Sequence, residues 1–240
     1  MIHGDFVSFK ETENPDPFTK QNGKLLKVFL QYGPIKARIG SMVAYQGQAD
    51  FGAAGSGGVK KFLKSKLTGE GVPLMDVTGT GEVFLADAAK DVMIYYLEND
   101  MISCNGAAVL AFSSSLDQNI ERVGGGVAGA VAGGLYNTTL RGSGYVAVTS
   151  AGPPVAFDVA AAPTFADPNA VVLWTGGVQM NINTNFKGRD LFGKGSGEAI
   201  QMGFSGQGYV MIQPSEVVEQ GAGTAAPGQS GSPLGGLLGQ

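Results

Sequence analysis

The chain has 240 residues, of which 15% are charged and 39 are glycine, against roughly 25% charged and roughly 7% glycine in an average soluble domain. Hydrophobic residues still reach 43%, which excludes a disordered polymer, and the glycines follow no three-residue period, which excludes a collagen-like fibre. Sixteen basic against 20 acidic side chains leave a net charge of −4, so no general polyanion-binding surface is implied and no DNA partner is expected. Each glycine inside a helix costs about 1 kcal/mol relative to alanine, so a turn-rich, all-β protein is expected.

Residues 1–23 read as a polar, turn-rich leader containing Glu11-Thr-Glu-Asn-Pro-Asp-Pro. The first residues lack the charged start and apolar run of a secretion signal, and no apolar stretch approaches the ~20 residues of a membrane span. A cytoplasmic protein is the expectation. From residue 24 the chain repeats itself. The first unit, 24–87, places a strand at Leu25 to Leu30, a second ending in an aromatic at Met42 to Tyr45, a glycine-rich loop from Gly52 to Gly71, and Thr78-Gly-Thr-Gly-Glu-Val-Phe-Leu. The second unit, 88–151, repeats the order with Val92 to Leu97, Val109 to Phe112, Gly124 to Gly134 and Arg141-Gly-Ser-Gly-Tyr-Val-Ala-Val. The third, 152–217, does so with Val155 to Val159, Val171 to Trp174, Gly188 to Gly197 and Ser205-Gly-Gln-Gly-Tyr-Val-Met-Ile. The Gly-x-Gly pairs begin at Gly79, Gly142 and Gly206, spaced by 63 and 64 residues. They read as turns, because glycine reaches positive φ without steric cost. Three tandem β units of about 63 residues, sandwich-like and packed around a pseudo-threefold axis, are therefore expected. Residues 218–240 form a flexible Gly/Ala/Pro/Ser tail.

Ten of the twelve lysines lie in residues 1–90, and four of them crowd one segment. Val59, Phe62, Leu63 and Leu67 fall on one face of a short amphipathic helix over 59–67, with Lys60, Lys61, Lys64 and Lys66 covering the rest. Such a helix either caps the β core or contacts an anion: RNA, an anionic membrane surface or an acidic protein. Lys187, Arg189 and Lys194, in the corresponding loop of the third unit, join the candidate contact set.

Catalytic and cofactor signals fail on their own mechanics. Gly124-Gly-Gly-Val-Ala-Gly129 matches a dinucleotide fingerprint, but no βαβ alternation surrounds it and no acid follows between Arg141 and Phe157 to hold a ribose. Gly188 to Gly195 resembles a phosphate-binding loop, yet Gly195 stands where Ser or Thr must hold magnesium. The single histidine, His3, and the single cysteine, Cys104, make neither a zinc set nor a nucleophile–base pair. Cys104 reads as a buried small hydrophobe. Glu70 and Glu198 occupy equivalent Gly-Glu positions, an equivalence the repeat explains without acid–base chemistry. No enzyme activity, cofactor or metal is expected.

The run Gly57-Gly-Val-Lys-Lys-Phe-Leu-Lys-Ser-Lys-Leu-Thr-Gly-Glu-Gly, followed by the Thr78 to Leu85 turn and strand, resembles the altered-inheritance-of-mitochondria protein family. Gly195-Ser-Gly-Glu-Ala-Ile-Gln-Met-Gly-Phe-Ser-Gly-Gln-Gly-Tyr-Val-Met-Ile-Gln-Pro looks like that family's closing motif, and the similarity spans roughly residues 24–215. The resemblance implies a duplicated β fold similar to the subunit of the tryptophan RNA-binding attenuation protein, with no established enzymatic activity. The expected function is a non-enzymatic β-repeat binding or assembly module. Its partner would be a protein or a second copy met at sheet edges; the alternative is RNA or anionic-membrane binding through Lys60 to Lys66.

Overall fold

The structure, a computed structural model, describes residues 4–53, 73–122, 136–183 and 201–215. Among these are seventeen β-strands and three single-turn 3₁₀ segments, so the chain is all-β as its glycine content demands. The expected helix over 59–67 and the glycine-rich loops beyond Ala53 lie outside the described residues. Among the described residues no helix is long and apolar enough to cross a membrane.

In the first third the strands are β1 (Phe18–Asn22), β2 (Leu25–Phe29), β3 (Ile35–Arg38), β4 (Met42–Gln46), β5 (Ala49–Ala53), β6 (Leu74–Gly79) and β7 (Glu82–Leu85). Both β2 and β4 pair antiparallel with β7, while β3 and β5 pair with β6. The last third holds β12 (Val155–Asp158), β13 (Thr164–Ala166), β14 (Val171–Thr175), β15 (Val178–Asn183), β16 (Gln201–Gly206) and β17 (Tyr209–Ile212). There β12 and β14 pair with β17, and β13 and β15 with β16. The middle third fuses strands: β8 (Asp91–Asn105) and β11 (Tyr136–Ser150) each run 15 residues, with β9 (Val109–Ser113) and β10 (Asp117–Arg122) beside them. One half of β11 pairs with Asp91 to Leu97 and with β9, the other with Asp100 to Asn105 and with β10.

Fine register follows the same scheme. Met42 and Ala44 face consecutive partners Leu85 and Phe84, Val109 and Ala111 face Val148 and Ala147, and Val171 and Leu173 face Ile212 and Met211. One extra residue, Val43, Leu110 or Val172, is thus accommodated as a bulge at the same place in each third.

The Gly-x-Gly turns of the outer thirds do not join paired strands. Strands β6 and β7 do not pair with each other but belong to different sheets, so Gly79-Thr80-Gly81 is a corner at which the chain changes sheet. Thr80 and Gly81 donate their backbone N–H groups to the Gln48 carbonyl at 3.0 and 2.8 Å, closing the corner. Gly79 sits at φ +137°, and a Cβ there would run into the same carbonyl. In the middle third the strand passes straight through Gly142-Ser143-Gly144, and the corner shrinks to a register shift within β11.

Alternation along the strands supplies the core. Leu26, Val28, Ile35, Val77, Val83 and Leu85 form a first cluster, to which Leu110, Ala111 and Ala147 of the middle third contribute. Ile102, Cys104, Phe112, Leu140 and Val146 form a second, joined by Val172 and Leu173 of the last third. Trp174, Met202, Phe204 and Val210 anchor a third. Residues 18–22, assigned to the leader by sequence, form β1 on β2 with Phe18 buried and stacked on Tyr145 at 5.2 Å.

Candidate functional site

Among the described residues, a cleft between the middle and last thirds and the sheet-ending strands β4 and β13 are open to a ligand or partner. The cleft has a volume of about 390 Å³ and is lined by small residues such as Ala88, Ala89, Ala107 and Gly152 together with polar ones such as Asn105, Thr149, Asn169 and Gln213. Its rim is shaped by tight local turns. Ala88 and Ala89 adopt φ of 46° and 57° within the turn closed by Lys90 N–H to the Asp87 carbonyl. The Asn105 side chain accepts from Ala107 N–H at 3.0 Å, and the Asp167 carboxylate from Asn169 N–H at 2.7 Å. Gln213 ties the far wall by accepting from Ala151 N–H at 2.9 Å and donating to the Asn169 carbonyl at 3.0 Å.

Near this rim lies a charged cluster that is internally satisfied. The Asp87 carboxylate accepts from Arg38 and Lys90 at 3.1 Å each and from the Thr149 hydroxyl at 3.3 Å. Arg38 also donates from Nε to the Val109 carbonyl and from Nη2 to the Ala107 carbonyl. These bonds tie Arg38 and Asp87 of the first third to Lys90, Ala107, Val109 and Thr149 of the middle third, so the cluster acts as a clamp between the two. Lys27 is likewise engaged: buried, it pairs with Glu11 and Glu82 and lies 4.3 Å from the centre of the Phe29 ring. The hydrogen bond from Lys27 holds the Glu11 carboxyl below its usual range, against a smaller opposing effect of desolvation.

Cys104 is wholly buried, as its sequence context implies, and burial pushes its thiol up to about 12. Burial, with a smaller contribution from Cys104, lifts the Tyr95 phenol to about 12 as well, its hydroxyl donating to the Met211 sulfur at 3.3 Å. The unfolded thiol ionises near 9 and the folded one only near 12, so between these values the unfolded state binds fewer protons and stability falls as pH rises. We expect the native protein to resist a thiol reagent at pH 8, and its urea midpoint to fall above pH 9 less steeply in Cys104→Ala than in the wild type. Rapid labelling of folded protein contradicts this. Among the described residues no group of three or more His, Cys, Asp or Glu side chains could hold a metal ion.

The edges are the second feature. Strand β4 ends the sheet β1-β2-β7-β4, and β13 ends the sheet β13-β16-β15. On β4, Val43 is 58% and Tyr45 51% exposed; on β13, Phe165 is 58% exposed. A second cleft, of about 540 Å³, flanks β13 and is lined by Phe157, Phe165, Ala166 and Ile212 among others. Neither edge carries a charged residue, and a charge is a common means of protecting an unpaired strand.

The seven basic candidates from sequence, Lys60, Lys61, Lys64, Lys66, Lys187, Arg189 and Lys194, lie outside the described residues, as do His3, Glu70 and Glu198. What the structure does place is the pair of anchors of each such segment. Residues 54–72 leave from β5 and return to β6, where Ala53 faces Met75, and residues 184–200 leave from β15 and return to β16, where Asn183 faces Gln201. Sequence reasoning named sheet edges in general but not Val43, Tyr45 and Phe165. In the sequence Tyr45 aligns with Phe112 and Trp174, both of which are buried, so the residue pattern carries no mark of the edge.

With fold and edges in view, comparison with known proteins adds the family. The family model described as mitochondrial biogenesis AIM24 matches residues 18–215. The chain belongs to the AIM24 family. The match begins at Phe18, so β1 falls inside the AIM24 region although the resemblance read from sequence began at residue 24. A crystal structure of a protein from Streptococcus pyogenes superposes on this AIM24 chain with a TM-score of 0.66, over 82% of this chain and 91% of that one, at 22% identity. At that identity the likeness is one of fold. No curated protein matches the chain.

Proposed function

We propose that this AIM24-family protein is a non-enzymatic β-repeat binding or assembly module whose working surface is its open sheet edges. The observation that carries the reading is the exposed, uncharged apolar edge at Met42–Gln46, matched by a second at Thr164–Ala166. The recurrence of one pairing scheme in each third supports a threefold internal duplication, in which sheet edges are the means by which units meet. The Asp87 carboxylate is occupied in joining the first and middle thirds, in keeping with a structural rather than a catalytic role for that cluster.

The test compares wild type with a Val43→Lys, Tyr45→Lys double variant, two lysines being a common natural way to blunt a strand edge. Tagged wild type incubated with native lysate is expected to retain associated chains, its own or others, that the variant loses. Equal retention by both overturns the reading.

The second reading, RNA or anionic-membrane binding through Lys60 to Lys66, rests on four lysines in seven residues. Each is worth about 1 kcal/mol near an anionic surface. Charge reversal at Lys60, Lys61 and Lys64 is expected to weaken binding to phosphatidylserine vesicles or single-stranded RNA at low salt if it holds; unchanged binding removes it.

A further inference from the structure

The sheet junctions inside the chain obey one rule. Between the first and middle thirds β3 lies on β9, with Ile35 opposite Ser113, Lys36 opposite Phe112 and Ala37 opposite Ala111. Between the middle and last thirds β8 lies on β14, with Ile102 opposite Thr175, Ser103 opposite Trp174 and Cys104 opposite Leu173. These are the same junction. On their other sides Ile35 and Ile102 face Val77 and Leu140, each two residues before its Gly-x-Gly, and Phe112 and Trp174 face Val146 and Val210, each four residues after the first of those glycines. Thr164, facing Phe204, and Tyr45, facing Val83, hold the equivalent positions on β13 and β4. A third application of the rule sets Thr164 opposite Gln46, Phe165 opposite Tyr45 and Ala166 opposite Ala44. Within one copy that junction is not made, because β4 and β13 each end a sheet.

Burial records the missing neighbour. Phe112 and Trp174 are 0% and 6% exposed while Tyr45 is 51%, and Leu110 and Val172 are 0% and 1% while Val43 is 58%. Of the other sheet-ending strands, β5, β10 and β15 recur in all three thirds, while β1 and β12 pair only with β2 and β17 of their own thirds, and none of the five forms a junction between thirds.

We infer that the two edges complete each other between copies: β13 of one copy pairs antiparallel with β4 of the next, in the register Thr164–Gln46, Phe165–Tyr45, Ala166–Ala44. This rests on the assembly reading above and names its partner as a second copy of the chain. The edges are complementary because each is the half-junction the other lacks, and the cleft beside Phe165 gives the incoming aromatic a place. Because the two surfaces differ, copies join head to tail, and a closed ring is the arrangement that leaves neither edge bare.

Cysteine pairing tests both partner and register. Residues directly opposite in an antiparallel pair have Cβ atoms about 4.5–5.5 Å apart, within reach of a disulfide after small adjustment. Tyr45→Cys and Phe165→Cys are made singly, at exposed positions that leave the core untouched, with circular dichroism confirming the fold. Under mild oxidation, mixed variants are expected to give a covalent dimer at least tenfold in excess of either alone, and the double variant a ladder. Equal cross-linking by Tyr45→Cys alone overturns the head-to-tail order. A mixture no better than the single variants overturns the junction. If edge-dependent capture from lysate persists while the purified chain neither cross-links nor associates, the second-copy inference fails and the assembly reading stands. If residues 216–240 occupy the edge instead, their removal exposes a cross-link absent from the full chain, which likewise overturns it.

Discussion

Phe112→Ala is expected to destabilise the protein by about 3–5 kcal/mol, a large share of the roughly 5–15 kcal/mol that holds a typical domain. The ring is fully buried on β9 between Val146 of β11 and Lys36 of β3, so truncation removes apolar contacts on both sides and leaves a cavity that rigid strands cannot collapse into. The informative comparison is Tyr45→Ala, the same register position on β4. Exposed within one copy, Tyr45 is expected to cost the isolated chain less than about 1 kcal/mol, as surface positions do. Urea unfolding at low protein concentration, where association is minimal, measures both. Similar losses at the two positions would contradict the assignment of β4 as an edge.

Gly79→Val is expected to cost about 3 kcal/mol or more. The backbone at φ +137° is strained for any L side chain, and a Cβ overlaps the Gln48 carbonyl that receives both corner hydrogen bonds. Gly40→Val isolates the first term: φ is +85° there, but a Cβ meets nothing within 4 Å, so only about 1–2 kcal/mol of strain is expected. Thermal melts of the two variants check the difference. A Gly79 variant as stable as the Gly40 variant would mean that the corner relaxes and does not fix the passage between sheets.

How far the sequence reaches is clearest at these two sites. Alternation around Val77, Val83 and Val210 and the recurring Gly-x-Gly made strands and their spacing legible, because period-two burial and positive φ leave marks in single residues. The strands at Ile35–Arg38 and Thr164–Ala166 were not legible: four and three residues carry too little alternation to stand out from loop. Nor was the fusion of strands in β8 and β11, since continuity across Gly142-Ser143-Gly144 depends on pairing with Leu97 and Asp100, partners about 45 residues away. The same limit hid the edge. Met42-Val-Ala-Tyr reads like Val109-Leu-Ala-Phe, and only the sheet order reveals that the second has a neighbour on both sides and the first does not.

Sedimentation equilibrium of the purified wild-type chain, beside the Val43→Lys, Tyr45→Lys variant, tests the central claim most directly. Edge completion between copies predicts a wild-type mass that is a whole-number multiple of 24.6 kDa, two or greater, and a variant that falls to 24.6 kDa with an unchanged strand signature. A wild type at 24.6 kDa at 100 µM, or a variant that keeps the wild-type mass, would contradict it.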